Sequence, residues 1–362
     1  MTRLITKKPL ILLCLFGFVL FSCNKNENIE TTPVNLSTTT QKMSSLLLSS
    51  TSTPFGTGSG FMLGVNGHLG DAPYMQTPAN KQVQLLNEMG MKWYRINIQT
   101  NPDFTMRSEG RFLALYKAIL EKGVNLLPLL YTRTLDLEKT EAESYKLGWE
   151  LGSNFAAKYG QYFTYYDLGN DLELALLIKN KTGQSQEHYD RRKTNVTAAY
   201  LKGMDEGIKS KDPTAKTMIS AGWIHYGFIR MCDWYGVKFD VVAYHWYSDM
   251  EGLAPKAPYN IPDITTKLAS LFPNKPIWFT EFNYRYKEAA SATYEAEQNT
   301  FITQFIQKCK KNPQVQALLI YELFNEPYKR ADEGHFGLIK WVTPYTVYSK
   351  KIIANTMTAT RW

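Results

Sequence analysis

Glu281 stands in Lys275-Pro-Ile-Trp-Phe-Thr-Glu-Phe-Asn283, a stretch of apolar and β-favouring residues around one carboxylate, with a turn signal in Asn274-Lys275-Pro276. A short apolar run of this kind reads as a strand buried on both faces, as in a parallel sheet. A carboxylate at its end is costly unless it faces a solvated, hydrogen-bonded site. Asp171 is placed in the same way, in Asp167-Leu-Gly-Asn170-Asp171-Leu-Glu173 after the run 162–168. Other polar and aromatic groups end comparable runs. These are Asn66-Gly-His68, Arg95 with Asn97, Tyr131-Thr-Arg133, Gly222-Trp223, Tyr244-His245-Trp246-Tyr247 and Glu322-Leu-Phe-Asn325-Glu326. There is no Ser-His-Asp order among them and no nucleotide-binding signature. Two carboxylates on opposite sides of one opening, flanked by Trp and Tyr, suit cleavage of a glycosidic bond. One protonates the leaving oxygen while the other meets the electron-poor anomeric carbon.

The elements that must gather these ends alternate along the chain. Strand-like runs fall at 61–65, 93–98, 124–131, 162–168, 217–221, 239–244, 277–280 and 317–321. Amphipathic helical stretches separate them at 79–90, 111–123, 141–159, 188–211, 226–235, 264–271 and 290–311, with a last helix expected over 344–354. Gly90 and Gly123 sit where a helix should end before the next strand. Eight βα units over some 300 residues imply a closed (β/α)8 TIM barrel in a single catalytic domain, 61–362. Such barrels take ~250 residues plus insertions and gather their sites at the C-terminal ends of the strands. The rival is an open doubly wound sheet, but Gly56-Thr-Gly58-Ser-Gly60 precedes its strand and lacks the GxGxxG spacing.

In these motifs the stretch from 61 to about 351 resembles a clan A glycoside hydrolase, the retaining (β/α)8 group that includes cellulases, mannanases and xylosidases. The resemblance implies that Glu281, in Phe279-Thr-Glu-Phe-Asn283, is the nucleophile. Arg95, in Tyr94-Arg-Ile-Asn97, corresponds to the strand 2 arginine that supports it, and His245 and Tyr247 to the strand 6 His-x-Tyr. Tyr321 to Tyr328 and His335-Phe-Gly-Leu338 are similar to the strand 8 region. Asn170 matches the Asn of the strand 4 Asn-Glu pair, but Asp171 follows it where the group has Glu as acid/base. The side chain is shorter by one carbon–carbon bond, about 1.5 Å, and three readings stay open. Asp171 works as the acid/base, Glu173 or Glu326 supplies the proton, or the barrel binds glycans without cleaving them. His68, Glu322 and Glu326 are expected sugar contacts together with Asn170, Arg95, His245 and Tyr247. Trp341 is the expected stacking platform, with Trp278 and Trp246 in the core. No metal or other cofactor is expected, since the first strand lacks His-x-His. The implied partner is a carbohydrate, and the chain is expected to act as a monomer.

Composition narrows the alternatives. Charged residues at 20% and apolar residues at 44% are ordinary for a globular protein, whereas 23 Tyr and 8 Trp suit a site that stacks flat ligands. Leaving Arg3, Lys7 and Lys8 out of the 41 basic residues gives 38 against 33 acidic, a net +5 with no basic block. Nucleic acid is therefore not the expected partner. Those three residues open a segment, 1–22, whose apolar run Pro9 to Leu20 is too short to span a bilayer comfortably and has the shape of a secretory signal. It ends in Leu20-Phe21-Ser22-Cys23, which resembles a bacterial lipoprotein lipobox and implies lipidation of Cys23. Residues 23–60, rich in Asn, Ser and Thr, then read as a tether, and the expected location is the bacterial cell envelope. Cys232 and Cys309 have no partner at ligand spacing and are expected to be buried thiols.

Overall fold

The computed structural model describes residues 60–362, apart from 121, 289, 290, 331 and 361. The expected signal, the lipidation site Cys23 and the tether before Gly60 lie outside the described residues. Among the described residues no helix is long and apolar enough to cross a membrane.

Eight parallel strands close on themselves: β1 Met62–Gly67, β2 Trp93–Ile98, β3 Asn125–Leu130, β4 Tyr165–Leu168, β5 Lys216–Gly222, β6 Val241–Tyr247, β7 Ile277–Asn283 and β8 Val315–Ile320, which pairs back to β1. This is the (β/α)8 barrel expected from the sequence, and every expected strand falls on an observed one. Side chains alternate across each strand, so inward residues form two strata. Low in the barrel, Trp93, Tyr165 and Trp278 pack edge and face against one another among Leu127, Met218, Ala243 and Leu319. One turn of the pleat higher the inward residues become polar, beginning with Arg95 and Asp167. Outward residues such as Tyr244, Trp246, Phe279 and Phe282 pack into the larger shell beneath the helices. Trp246 and Trp278 are thus core residues, as expected.

β7 breaks the alternation. Opposite β6, Phe279 pairs with Tyr244 but Glu281 pairs with His245, so Thr280 is an extra residue. Such a bulge re-aims the side chains that follow it. Trp278 and Glu281, three apart, consequently both face inward.

The helix Glu141–Tyr159 starts on a capping box, in which Glu143 N donates to Thr140 Oγ1 and Thr140 N to the Glu143 carboxylate. The helix Arg191–Lys211 starts on Asp190, whose Oδ1 accepts from Lys193 N. These two helices cross at glycines. A Cβ on Gly148 would stand 2.0 Å from Tyr200 O, and one on Gly203 2.1 Å from Tyr145 O. Gly152 and Gly207 repeat the contact one turn further along.

The last expected helix is corrected. Residues 344–354 contain a turn, and β9 Ile339–Thr343 and β10 Val347–Lys350 form an antiparallel hairpin before the helix Ile352–Ala359. Trp341-Val-Thr343 and Thr346-Val-Tyr348 favour strands, and Pro344-Tyr345 turns between them with Tyr345 at φ 61°. Cys232 and Cys309 are buried free thiols.

Candidate active site

The C-terminal ends of the strands meet at one rim, and one guanidinium ties four of them together. Arg95, 2% exposed, donates from Nε to Asp167 Oδ2 at 2.8 Å and from Nη2 to Asn170 Oδ1 at 2.7 Å. From Nη1 it donates to Glu281 Oε1 at 2.7 Å and Asn66 Oδ1 at 2.8 Å. A buried arginine is tolerable only when its donors and charge are met in this way. The Tyr247 hydroxyl donates to the other Glu281 oxygen, Oε2, at 2.9 Å. The bulge, Arg95 and Tyr247 therefore fix a single carboxylate at the floor of the mouth, 7% exposed. The sequence reading expected Arg95 and Tyr247 beside Glu281, and the hydrogen bonds bring the three side chains together. Asn66 and Asp167 ended strands in the sequence without an assigned task. Their signal was the inward alternation beside Arg95, which a lone carboxylate could not balance.

Asp171 stands across the mouth in a left-handed conformation, φ 48° and ψ 35°. Its Oδ2 accepts from Asn170 Nδ2 at 2.9 Å, and its Oδ1 lies 2.7 Å from His245 Nδ1. His245 Nε2 is 3.7 Å from Glu281 Oε1, so the imidazole stands between the two carboxylates. Asn170 bonds Arg95 through its amide oxygen and Asp171 through its amide nitrogen, and so positions both.

The charges of this group depart from what an acid catalyst at Asp171 would need. Burial by itself would raise the Asp171 carboxyl, but the charge and hydrogen bond of His245, with Arg95 and His225, leave it below the ordinary aspartate value. Burial would lower the His245 imidazole, and Arg95 opposes its charge too. Glu281 and Asp171 outweigh both and push it up to about 9. At neutral pH the proton that a neutral acid would carry therefore sits on the histidine.

A second cluster lies behind the rim between β1 and β8. His68 Nδ1 is 2.9 Å from Glu326 Oε1, 3.0 Å from Glu322 Oε2 and 3.4 Å from Asp71 Oδ2. Tyr74 donates to Glu322 at 3.3 Å, and Lys329 contacts the Glu326 carboxylate. Burial, then the surrounding charges, set Glu322 at about 7. Glu322 and Glu326 are both 0% exposed, so the sugar contacts expected of them are corrected. They hold His68, which is 8% exposed, against the ring of Tyr321 at 5.5 Å. The ligand atoms of His68, Asp71 and Glu326 lie within 4.8 Å of one another, close enough for a cation. Lys329 Nζ, 3.8 Å from Asp71 and 3.5 Å from His68, brings a positive charge to that place.

Two further expectations change. Trp341 is not a free platform. Its ring stacks on Phe324 at 5.2 Å, and its Nε1 donates to Asn325 O at 2.9 Å, which binds the hairpin to the loop after β8. Glu173, the alternative proton source, is 0% exposed and accepts from Gly222 N at 3.0 Å beside His225 at 3.2 Å. Glu173 and Glu326 are both buried, whereas the Asp171 side chain is 32% exposed and is linked to Glu281 through the His245 ring. Sequence reasoning placed Tyr321 in the strand 8 region but gave no task to its ring, which with Phe336 packs on Tyr247 at the strand 8 side of the mouth. It missed Arg285, whose guanidinium lies 4.4 Å from the centre of the Tyr247 ring.

Residues 199–335 match the family model of the glycosyl hydrolase catalytic core. The match runs through β5 to β8 and takes in His245, Tyr247, Glu281, Glu322 and Glu326, while Arg95, Asn170 and Asp171 lie outside it. No curated protein sequence matches the chain. Among solved structures the chain is similar to a β-glycosidase at 13% identity and a TM-score of 0.59, over 85% of this chain and 97% of the other. It is also similar to the β-glucosidase from Thermotoga maritima in complex with glucoimidazole, at 12% identity and a TM-score of 0.61, over 83% and 97% of the two chains. The same enzyme with deoxynojirimycin gives 11% identity and a TM-score of 0.60, over 85% and 98%. At these identities the likeness is one of fold.

Proposed function

We propose that the protein is a retaining glycoside hydrolase acting on a poly- or oligosaccharide at the bacterial cell envelope. Glu281 is the nucleophile and Asp171 the carboxyl that serves the leaving group. The observation that carries this reading is the seating of Glu281. A bulge, an arginine and a tyrosine fix one carboxylate at the mouth of a barrel, with both oxygens held by donors and a second carboxyl facing it across one imidazole. The match of residues 199–335 to a glycosyl hydrolase core supports the same chemistry. Glu281 would attack the anomeric carbon and form a glycosyl ester, which water then opens. The envelope location rests on the lipobox-like Leu20 to Cys23 and on the tether that follows.

A 2-deoxy-2-fluoro glycoside that reacts with the enzyme should leave its sugar on Glu281 in peptide mapping. Glu281→Ala should lower turnover by about three orders of magnitude or more while glycan binding persists. Full activity in that variant would remove Glu281 from the mechanism. A second reading, glycan capture without hydrolysis, is favoured by the short, anionic Asp171. A glycan panel that begins with β-glucosides, the substrates named for the structural neighbours, and scores binding and hydrolysis together separates the two. Saturable binding with no product at high enzyme concentration would establish the second.

A further inference from the structure

We propose that Asp171 and His245 share one dissociable proton and act as a two-residue acid/base, His245 storing the proton and Asp171 exchanging it with substrate and water. The proposal rests on the glycosidase reading and specifies how its proton moves. It starts from a contrast in position. Asp171 has 32% of its side chain exposed at the mouth, whereas that of His245 is 3% exposed and cannot touch a leaving group. The two are joined by a 2.7 Å hydrogen bond, and the other imidazole nitrogen is buried with no hydrogen-bond partner. The ring is therefore held by Asp171 alone on one side and looks towards Glu281 on the other.

The charged groups around the imidazole come from four elements. Glu281 is on β7, Asp171 in the loop after β4, Arg95 on β2 and Asp167 on β4. Glu281 and Asp171 outweigh Arg95, which keeps the proton on the ring in the resting site. The shorter Asp171 side chain is then no defect, because the group it must reach is an imidazole held 2.7 Å away.

The steps balance with one proton. In the first, a Glu281 oxygen bonds to the anomeric carbon as the glycosidic C–O bond breaks. The proton passes from His245 Nδ1 to the Asp171 carboxyl and from there to the leaving oxygen. The aglycone departs as an alcohol, leaving a glycosyl ester, an aspartate and a neutral imidazole. In the second step Asp171 takes a proton from water and returns it to His245 while the water oxygen displaces Glu281. A binding event that dries the mouth assists the first transfer, since a low-dielectric setting disfavours the separated charges of the pair.

The test is the pH dependence of kcat/KM over a series of aryl glycosides, for the wild type and for His245→Gln. The wild type should hold its activity up to an alkaline limb near pH 9, where the pair loses its proton. In His245→Gln the limb should move down by about two pH units or more, towards the range of an isolated carboxyl. The loss at pH 8 should be large for alkoxide-like leaving groups and small for dinitrophenolate, which needs no proton. A uniform loss at every pH with the limb unmoved would make His245 a packing residue and overturn the proposal. Imidazole NMR of histidine-labelled protein gives a reading that does not depend on turnover. The His245 ring should titrate near pH 9 in the wild type and fall below its ordinary value in Asp171→Asn, and an unchanged titration there would overturn the sharing. A titration that shifts as stated in a protein that cleaves no glycoside would leave the shared proton standing and refute the glycosidase reading.

Discussion

Asp171 takes its meaning from its backbone. At φ 48° it occupies the left-handed region, where Asp and Asn are several-fold enriched among non-glycine residues. Gly169 two residues earlier is also left-handed, at φ 80°. This turn swings the Asp171 carboxyl onto His245 Nδ1, and one more methylene would carry it past that contact. A glutamate in its place, as in the group the sequence resembles, therefore should not raise the activity proposed above. Asp171→Glu is expected to lower kcat by roughly 10- to 100-fold, since a displacement of about 1 Å in a catalytic group has effects of that order. Steady-state kinetics on an unactivated substrate would measure it. A rise in kcat would mean that Asp171 is a worn acid rather than half of a pair.

At the scale of elements, the tight spot is the crossing of the helices Glu141–Tyr159 and Arg191–Lys211. A Cβ on Gly203 would stand 2.1 Å from the Tyr145 carbonyl, a backbone atom that cannot swing aside. Gly203→Ala should destabilise the fold by about 1–3 kcal/mol through overpacking. Gly110→Ala, in a helix where the added methyl meets nothing within 4 Å, should be neutral or stabilising by about 0.5–1 kcal/mol. Urea unfolding of the two variants side by side would show it, and equal effects would mean that the helices do not meet as closely as described. Each of these helices was legible from its period, but the crossing was not, because four glycines at helical spacing read locally as weak helix positions. The barrel strands were legible for the complementary reason: an apolar run ended by a polar residue is a local signal. The bulge at Thr280 escaped because an extra residue exists only relative to β6. Glu322 and Glu326 were read as facing sugar because nothing near them in sequence shows His68 coming over from β1 to cover them. The final hairpin was mistaken for a helix where strand-favouring Trp341 to Thr343 and Val347 to Tyr348 were weighed less than a short amphipathic pattern.

For the molecule as a whole, the least comfortable charge lies far along the chain from Asp171 and Glu281. Lys351 joins the hairpin to the last helix, is 2% exposed, and donates from Nζ to His335 O at 2.5 Å. Its ammonium also lies 5.1 Å from the centre of the Tyr294 ring. Burial lowers it to about 7, with Glu295 opposing that shift and Lys340 adding to it. Between pH 7 and the ordinary lysine value the unfolded chain holds a proton on this group that the folded chain has lost, so its contribution to stability grows with pH. His245 runs the other way. Its raised value stabilises the fold fully below the ordinary histidine range, and that contribution is lost as pH rises through about 9. A bare stability curve would mix the two, whereas the difference between Lys351→Met and the wild type isolates the lysine. One pH unit of such linkage is worth about 1.4 kcal/mol. The advantage of Lys351→Met over the wild type should therefore shrink by about 2–3 kcal/mol from pH 7 to pH 9. Chemical denaturation of both proteins at pH 7, 8 and 9 gives that difference directly. A difference that stays constant with pH would mean that Lys351 keeps its proton throughout, with the carbonyl of His335 and the face of Tyr294 sufficient to hold a buried ammonium.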